Sequence, residues 1–116
     1  MKLLRNYVGV GIEDKIKTLT LAFSESSLNP NVNHNSTAVG YCGIKPEYWK
    51  SYLNERGIKV RSVLSCLEVY NYYYDRYKNQ RKALRRYKGI RSHNNEWIIN
   101  KVLRVEKHLI NKFVRN

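Results

Sequence analysis

The sequence predicts a mainly α-helical fold of five or six helices in one domain over residues 1–116, and three observations carry that expectation. A chain of 116 residues is the size of one ordinary domain, and buries roughly two-thirds of its extended surface when compact. A hydrophobic fraction of 42% with only 6 Gly and 2 Pro excludes collagen-like and low-complexity classes despite the high charge. Apolar residues also recur at spacings of three and four in segment after segment, the period that lines one face of a helix.

The elements follow in order. Residues 1–11 are positively charged and then mildly apolar, with no continuous apolar run and no small-residue cleavage site, so a flexible or loosely packed N-terminal segment is expected rather than a signal peptide. Ile12, Ile16, Leu19 and Phe23 line one face of a first helix, with Glu13 and Asp14 opposing the positive helix end in its first turn. Residues 29–37 are crowded with Asn, Ser and Thr, whose side chains compete for backbone hydrogen bonds, and predict a polar loop after Glu25 containing at most a short extended segment. Gly40 and Gly43 predict tight turns there, and Pro46 opens a short helix carrying Tyr48, Trp49 and Leu53. Gly57 ends it, and Ser62 is the expected cap of a helix running to about Lys78 through Val63, Leu67, Tyr70, Tyr74 and Tyr77. Residues 80–88 form another short helix with Ala83, Leu84 and Tyr87 on one side, Arg81, Lys82, Arg85 and Arg86 mostly toward solvent, and Gly89 as its cap. A polar turn at residues 91–95, including His93, precedes a last helix from about Glu96 to Phe113, striped by Ile98, Val102, Val105, Leu109 and Phe113.

Charge and cysteine content bound the function. A formal net charge of +13, from 22 Lys and Arg against 9 Asp and Glu, calls for a polyanionic partner, which nucleic acid, anionic lipid and anionic wall polymers all satisfy. Cys42 and Cys66 are too few for a disulfide scaffold; two separate, reduced, half-buried thiols are expected, with a Cys42–Cys66 disulfide as the alternative. His34, His93 and His108 are scattered and no CxxC occurs, so no metal site and no cofactor is expected. Nothing approaches the stretch of about 18 apolar residues that spans a bilayer.

The segment most informative about chemistry is Glu25-Ser26-Ser27-Leu28-Asn29-Pro30, directly after the first helix. A carboxyl group flanked by Phe23 and Leu28 would be partly desolvated and keep a proton toward neutrality, as glycosidic cleavage requires of its acid. By residue physics alone, one Glu after a helix is more often a solvated cap. The segment nevertheless resembles the catalytic-glutamate motif of the soluble lytic transglycosylase domains, relatives of goose-type lysozyme. Ala38, Gly40, Ile44 and Pro46 resemble that family's next motif, and Ala83-Leu84-Arg85-Arg86-Tyr87-Lys88-Gly89 resembles its Ala-rich helix ending in Tyr-Asn-Ala-Gly. The resemblance spans roughly residues 12 to 90. Gly43 stands where the family usually has a cleft-lining Gln and Lys88 where it has Asn, while Tyr41 and Cys42 replace an apolar pair.

The resemblance implies a lysozyme-like fold and cleavage of peptidoglycan between N-acetylmuramic acid and N-acetylglucosamine. It makes Glu25 the general acid and base and Tyr87 the hydrogen-bond partner that orients it, with Ser26, Ser27, Gly40, Tyr41 and Ile44 of its motifs as substrate contacts, the two serines being local backbone partners rather than nucleophiles. From their own chemistry, His34 is a candidate to line the cleft and Trp49 to stack on a sugar face, a core or half-core tryptophan being the simpler reading. Transglycosylation to a 1,6-anhydro product is the implied outcome, with lysozyme-type hydrolysis as the alternative. A second carboxylate would favour hydrolysis; Glu47, Glu55, Glu68 and Asp75 are available, each more simply a solvated helix residue, and Glu47 lies nearest the motifs. Different in class are a basic nucleic-acid-binding helical module, suggested by the Arg and Lys run of residues 76–88 with its tyrosines, and a catalytically weakened wall-binding structural protein, suggested by Gly43 and Lys88. The expected partners are peptidoglycan strands and anionic wall polymers, with nonspecific binding to nucleic acid. Action at the bacterial cell wall then requires release by lysis, carriage on a virion, or another route, as for a phage-encoded enzyme.

Overall fold

The computed structural model describes residues 11–90 and 95–115. They form a mainly α-helical protein with five helices and, among the described residues, no sheet: α1 (Ile12–Ser26), α2 (Pro46–Glu55), α3 (Leu64–Tyr77), α4 (Gln80–Lys88) and α5 (Glu96–Phe113). The chain divides into two compact units, Met1–Leu67 and Glu68–Asn116. The expectations for residues 1–10 and for His93 lie outside the described residues.

In the first unit, α1 begins after Gly11, carries Glu13 and Asp14 in its first turn as predicted, and runs three residues beyond Phe23. Its buried face is not the predicted stripe. Ile16 is buried, but Ile12 and Phe23 are exposed, and Thr18, Thr20, Leu21, Ala22 and Ser26 are buried in their place. The polar members of that face donate back into their own helix: Thr18 Oγ1 to Asp14 O at 2.7 Å, Thr20 Oγ1 to Ile16 O at 2.7 Å, and Ser26 Oγ to Ala22 O at 2.9 Å. A hydroxyl satisfied this way presents mainly its carbon atoms to the core, which is how threonine occupies apolar positions.

The extended piece of the polar loop is one antiparallel bridge between Val39 and Ile44, closed by Val39 N–H to Ile44 O at 2.9 Å and Ile44 N–H to Val39 O at 3.1 Å. The four residues inside it begin and end with left-handed glycines, Gly40 at φ 76° and Gly43 at φ 60°. At Gly40 the glycine is compulsory, because a Cβ there would lie 2.7 Å from Arg61 Cα and 2.9 Å from Arg61 O, backbone atoms that no rotamer change can clear. Cys42, at the middle of the turn, forms a disulfide with Cys66 of α3, correcting the expectation of two reduced thiols; the two Cα atoms are 5.1 Å apart and both side chains are buried. Spacing in the sequence carries no information on this pairing, which depends on the hairpin folding back to α3.

Pro46 opens α2, and Ile58 N–H returns to Leu53 O at 2.9 Å after Gly57, ending the helix where predicted. Ser62 does not cap α3 through its side chain; its hydroxyl donates to Lys59 O at 2.7 Å, and Ser62 O accepts from Ser65 N–H at 3.2 Å instead.

In the second unit, α4 and α5 have the predicted bounds. Asn79 Oδ1 accepts from Lys82 N–H at 2.9 Å to cap α4, and Gly89 closes it through its N–H. Arg81 and Arg85 are not simply solvated: both reach Glu96 at the start of α5, Arg81 Nη1 at 3.0 Å and Arg85 Nε at 2.9 Å. Arg81 Nη2 also donates to Asn100 Oδ1 at 2.9 Å. Together these bonds hold the Glu96 carboxyl below the usual carboxylate range, the Arg85 hydrogen bond being the main cause. The buried face of α5 is Ile99, Val102 and Glu106, displaced by about one residue from the predicted stripe, while Phe113 is exposed. Glu106 accepts from Gln80 Nε2 at 3.0 Å, and burial beside it pushes the Tyr70 phenol well above its ordinary value.

Candidate functional site

Glu25 sits in the last turn of α1, and the chain leaves that turn in an uncommon way. Ser27 at φ 54° and Leu28 at φ 63° are consecutive non-glycine residues in the left-handed region. A single left-handed residue after a helix is an ordinary stop, and Ser27 N–H accordingly donates to Phe23 O at 2.9 Å. A second one in succession, with a leucine side chain, costs about 1–2 kcal/mol and persists only where the surroundings impose it. The double reversal turns the loop back toward the end of the helix that carries Glu25.

The result is a grouping of Glu25, His34 and Gly43 within the first unit. All three are half-buried. A Cβ built on Gly43 would stand 3.2 Å from Glu25 Oε2 and 3.3 Å from both Cε1 and Nδ1 of His34, so the carboxylate and the imidazole flank the same point above the glycine. The imidazole is held from behind: His34 Nε2 lies 2.8 Å from Gly40 O. A carbonyl oxygen only accepts, so Nε2 carries a proton and donates it to Gly40 O. The hairpin thus places both its glycines, one beneath the carboxylate and one behind the imidazole, and the disulfide at Cys42 anchors it.

Phe23 and Leu28 are not the hydrophobic flank expected for Glu25. They are 53% and 38% exposed, and the groups next to the carboxylate are those of the loop. Among the other residues singled out by sequence, Ser27 is exposed, and Tyr41 and Trp49 are half-buried, Trp49 meeting Tyr52 edge-on at 5.5 Å between ring centres. Ser26, Gly40 and Ile44 are buried: Ser26 bonds into its own helix, Gly40 abuts Arg61, and Ile44 carries the bridge. These three act as framework. Glu47 is exposed and accepts from the Thr37 hydroxyl, which with its backbone hydrogen bond holds its carboxyl below the usual range and keeps it ionised. Tyr87 belongs to the second unit, half-buried in the last turn of α4.

Two features were missed by sequence reasoning. The position of His34 against Glu25 has no spacing signal, because Ser26 and then seven residues of aperiodic loop separate them. Buried Glu106 was hidden by hydropathy, although its place four residues after Val102 on the helix was a usable hint. Among the described residues, no group of three or more His, Cys, Asp and Glu could hold a metal ion, and no helix is long and apolar enough to cross a membrane.

What the helices and this grouping define is a mainly α-helical protein with a carboxylate, an imidazole and a glycine gathered at one helix end. Comparison with family models, with curated proteins and with solved structures returns no match to the chain.

Proposed function

We propose that this protein is a lysozyme-like enzyme that cleaves peptidoglycan glycan strands between N-acetylmuramic acid and N-acetylglucosamine, with Glu25 as general acid and base. The observation that supports it is the gathering of Glu25 and His34 around Gly43, which sets one carboxylate and an imidazole against a glycine at the end of a helix. The order of the three motifs that resemble lytic transglycosylases adds to it, as does a charge of +13 suited to an anionic wall.

A single carboxylate accounts for the chemistry in two proton transfers. Glu25 donates its proton to the glycosidic oxygen as the bond to C1 of the muramic sugar breaks, and positive charge develops there while the substrate's own N-acetyl oxygen assists. The Glu25 carboxylate then removes the proton from the C6 hydroxyl as that oxygen bonds to C1, closing a 1,6-anhydro ring and restoring the acid. Tyr87 is assigned its supporting part by resemblance alone, tested by turnover of Tyr87→Phe.

The deciding experiment is mass spectrometry of products from purified peptidoglycan. Muramic ends of either kind, anhydro or reducing, are expected from wild type and should disappear in Glu25→Gln with its circular dichroism unchanged. Absence of both from wild type would defeat the assignment, and tight, sequence-selective nucleic-acid binding by the same preparation would replace it with the basic helical module.

A further inference from the structure

We infer that the outward face of α5 is a docking surface for duplex DNA, set into the major groove and held mainly by its phosphates. The inference goes beyond the glycan-cleaving reading and does not rest on it.

The basic run of residues 76–88 is partly neutralised, since Arg81 and Arg85 are engaged by Glu96. The case of α5 is different. Its two acids both serve the packing on α4: Glu96 takes those two arginines, and Glu106 is buried and accepts from Gln80. What faces outward is one-signed. From Lys107 at one edge to Lys101 and Lys112 at the other, an arc of about 140° at about 100° per residue, every residue is exposed and none is acidic or aliphatic. Among the described residues no ion pair engages Lys101, Arg104, Lys107 or Lys112. Cations three and four residues apart repel along a helix, so an anionic partner relieves this face.

The order of residues across the arc points to the kind of anion. Lysines occupy both edges, and Arg104, His108 and Asn111 lie between them. A helix about 10–12 Å in diameter enters the major groove of B-DNA, about 12 Å wide, and there meets a row of phosphates on either side and hydrogen-bonding base edges beneath. Edge lysines suit the phosphates, while guanidinium, imidazole and amide groups suit the groove floor. Between Lys101 and Lys112 the face runs about 16 Å along the axis, close to half a turn of duplex. A flexible chain of wall phosphates offers no paired rows, and nothing for the central groups to meet. A lipid surface takes up the apolar face of a helix, and that of α5 is buried at Ile99 and Val102. Duplex RNA has the phosphates, but its major groove is too narrow to admit side chains.

The test is fluorescence anisotropy of a labelled, random-sequence DNA duplex titrated at several salt concentrations. Wild type should bind with a Kd of about 1–100 µM near physiological salt. Exchanging Lys101, Lys107 and Lys112 together for Gln should weaken binding about tenfold or more. It should also make the dependence of log K on log salt shallower by about 2–3, one lost phosphate contact for each lysine. The same exchange at Lys45, Lys50 and Lys59, exposed lysines of the first unit, removes equal charge and should weaken binding less than about threefold. Duplex RNA of the same sequence should bind wild type about fivefold or more weakly; this comparison needs no variant and decides even where one misfolds. Equal weakening by the two triple variants would reduce the interaction to net charge, and RNA bound as tightly as DNA would remove the groove. Poly(glycerol phosphate) that displaces the label as well as unlabelled DNA does at equal phosphate would make a wall polymer the occupant. Each of these results, like absence of binding, would overturn the inference. Glu25→Gln should bind DNA as wild type does, so failure here leaves the glycan-cleaving reading untouched, and loss of that reading leaves this surface standing.

Discussion

Reduction of the Cys42–Cys66 disulfide perturbs both stability and the placement of the hairpin beside Glu25, without altering any residue. The bond closes a loop across a sequence separation of 24. On the chain-entropy relation, a loop of that size restricts the unfolded ensemble by about 3.5 kcal/mol at 25 °C. For a chain of this length the unfolding entropy near 60 °C is on the order of 0.24 kcal/mol/K, so the corresponding fall in Tm is about 14 °C. The assay is urea denaturation followed by circular dichroism, with and without a phosphine reductant, alongside thiol titration of the unfolded, unreduced protein. The expected result is no titratable thiol before reduction and two after it, with a stability loss of about 2–4 kcal/mol. Two titratable thiols before reduction, or a stability change under about 0.5 kcal/mol, would refute the reasoning; the latter would mean that the unfolded chain holds residues 42 and 66 together unaided.

Three other outcomes can be checked with the same measurements. Gly40→Ala places a methyl group 2.7 Å from Arg61 Cα at a positive φ, and should lose about 2–5 kcal/mol by urea denaturation, summing left-handed strain and overpacking. Ser27→Gly removes an exposed side chain from a left-handed position, and should gain about 0.5–1 kcal/mol in the same assay. The Glu96 carboxyl is held below its ordinary value of 4.5 by Arg85 and Arg81, so its contribution is present above that pH and lost as pH falls through the lowered folded value. The difference in urea midpoint between wild type and Glu96→Gln should therefore be constant from neutrality down to about pH 5 and shrink in more acid solution; a difference that grows there would contradict the pairing.

Helix boundaries are legible in the sequence wherever local chemistry punctuates the chain. Pro46 opens α2, Gly89 closes α4, and the apolar recurrence from Ile98 onward bounds α5, because each signal acts within one turn of itself. Helix faces are less legible. Hydropathy counts Thr18 and Thr20 as polar, whereas hydroxyls returned to the carbonyls of Asp14 and Ile16 make them core residues, and Glu106 occupies a buried position by accepting from Gln80. For the site, resemblance brings Glu25 and Gly43 to notice separately. Their meeting with His34 depends on two left-handed residues, a hairpin of one bridge whose first glycine abuts Arg61, and a disulfide across a separation of 24, none of which leaves a periodic signal.

The close approach at Gly40 also offers a means of finding kin. No other side chain fits against Arg61 there, so any descendant of the same ancestor that retains the hairpin must retain glycine at that position, whatever happens at its surface. With the disulfide two residues on and its partner 24 residues later, it forms a short signature of acid, glycine, cysteine, cysteine. Divergence that erases overall identity leaves such a signature intact, and it can be searched for in genomes where whole-length alignment has lost its power.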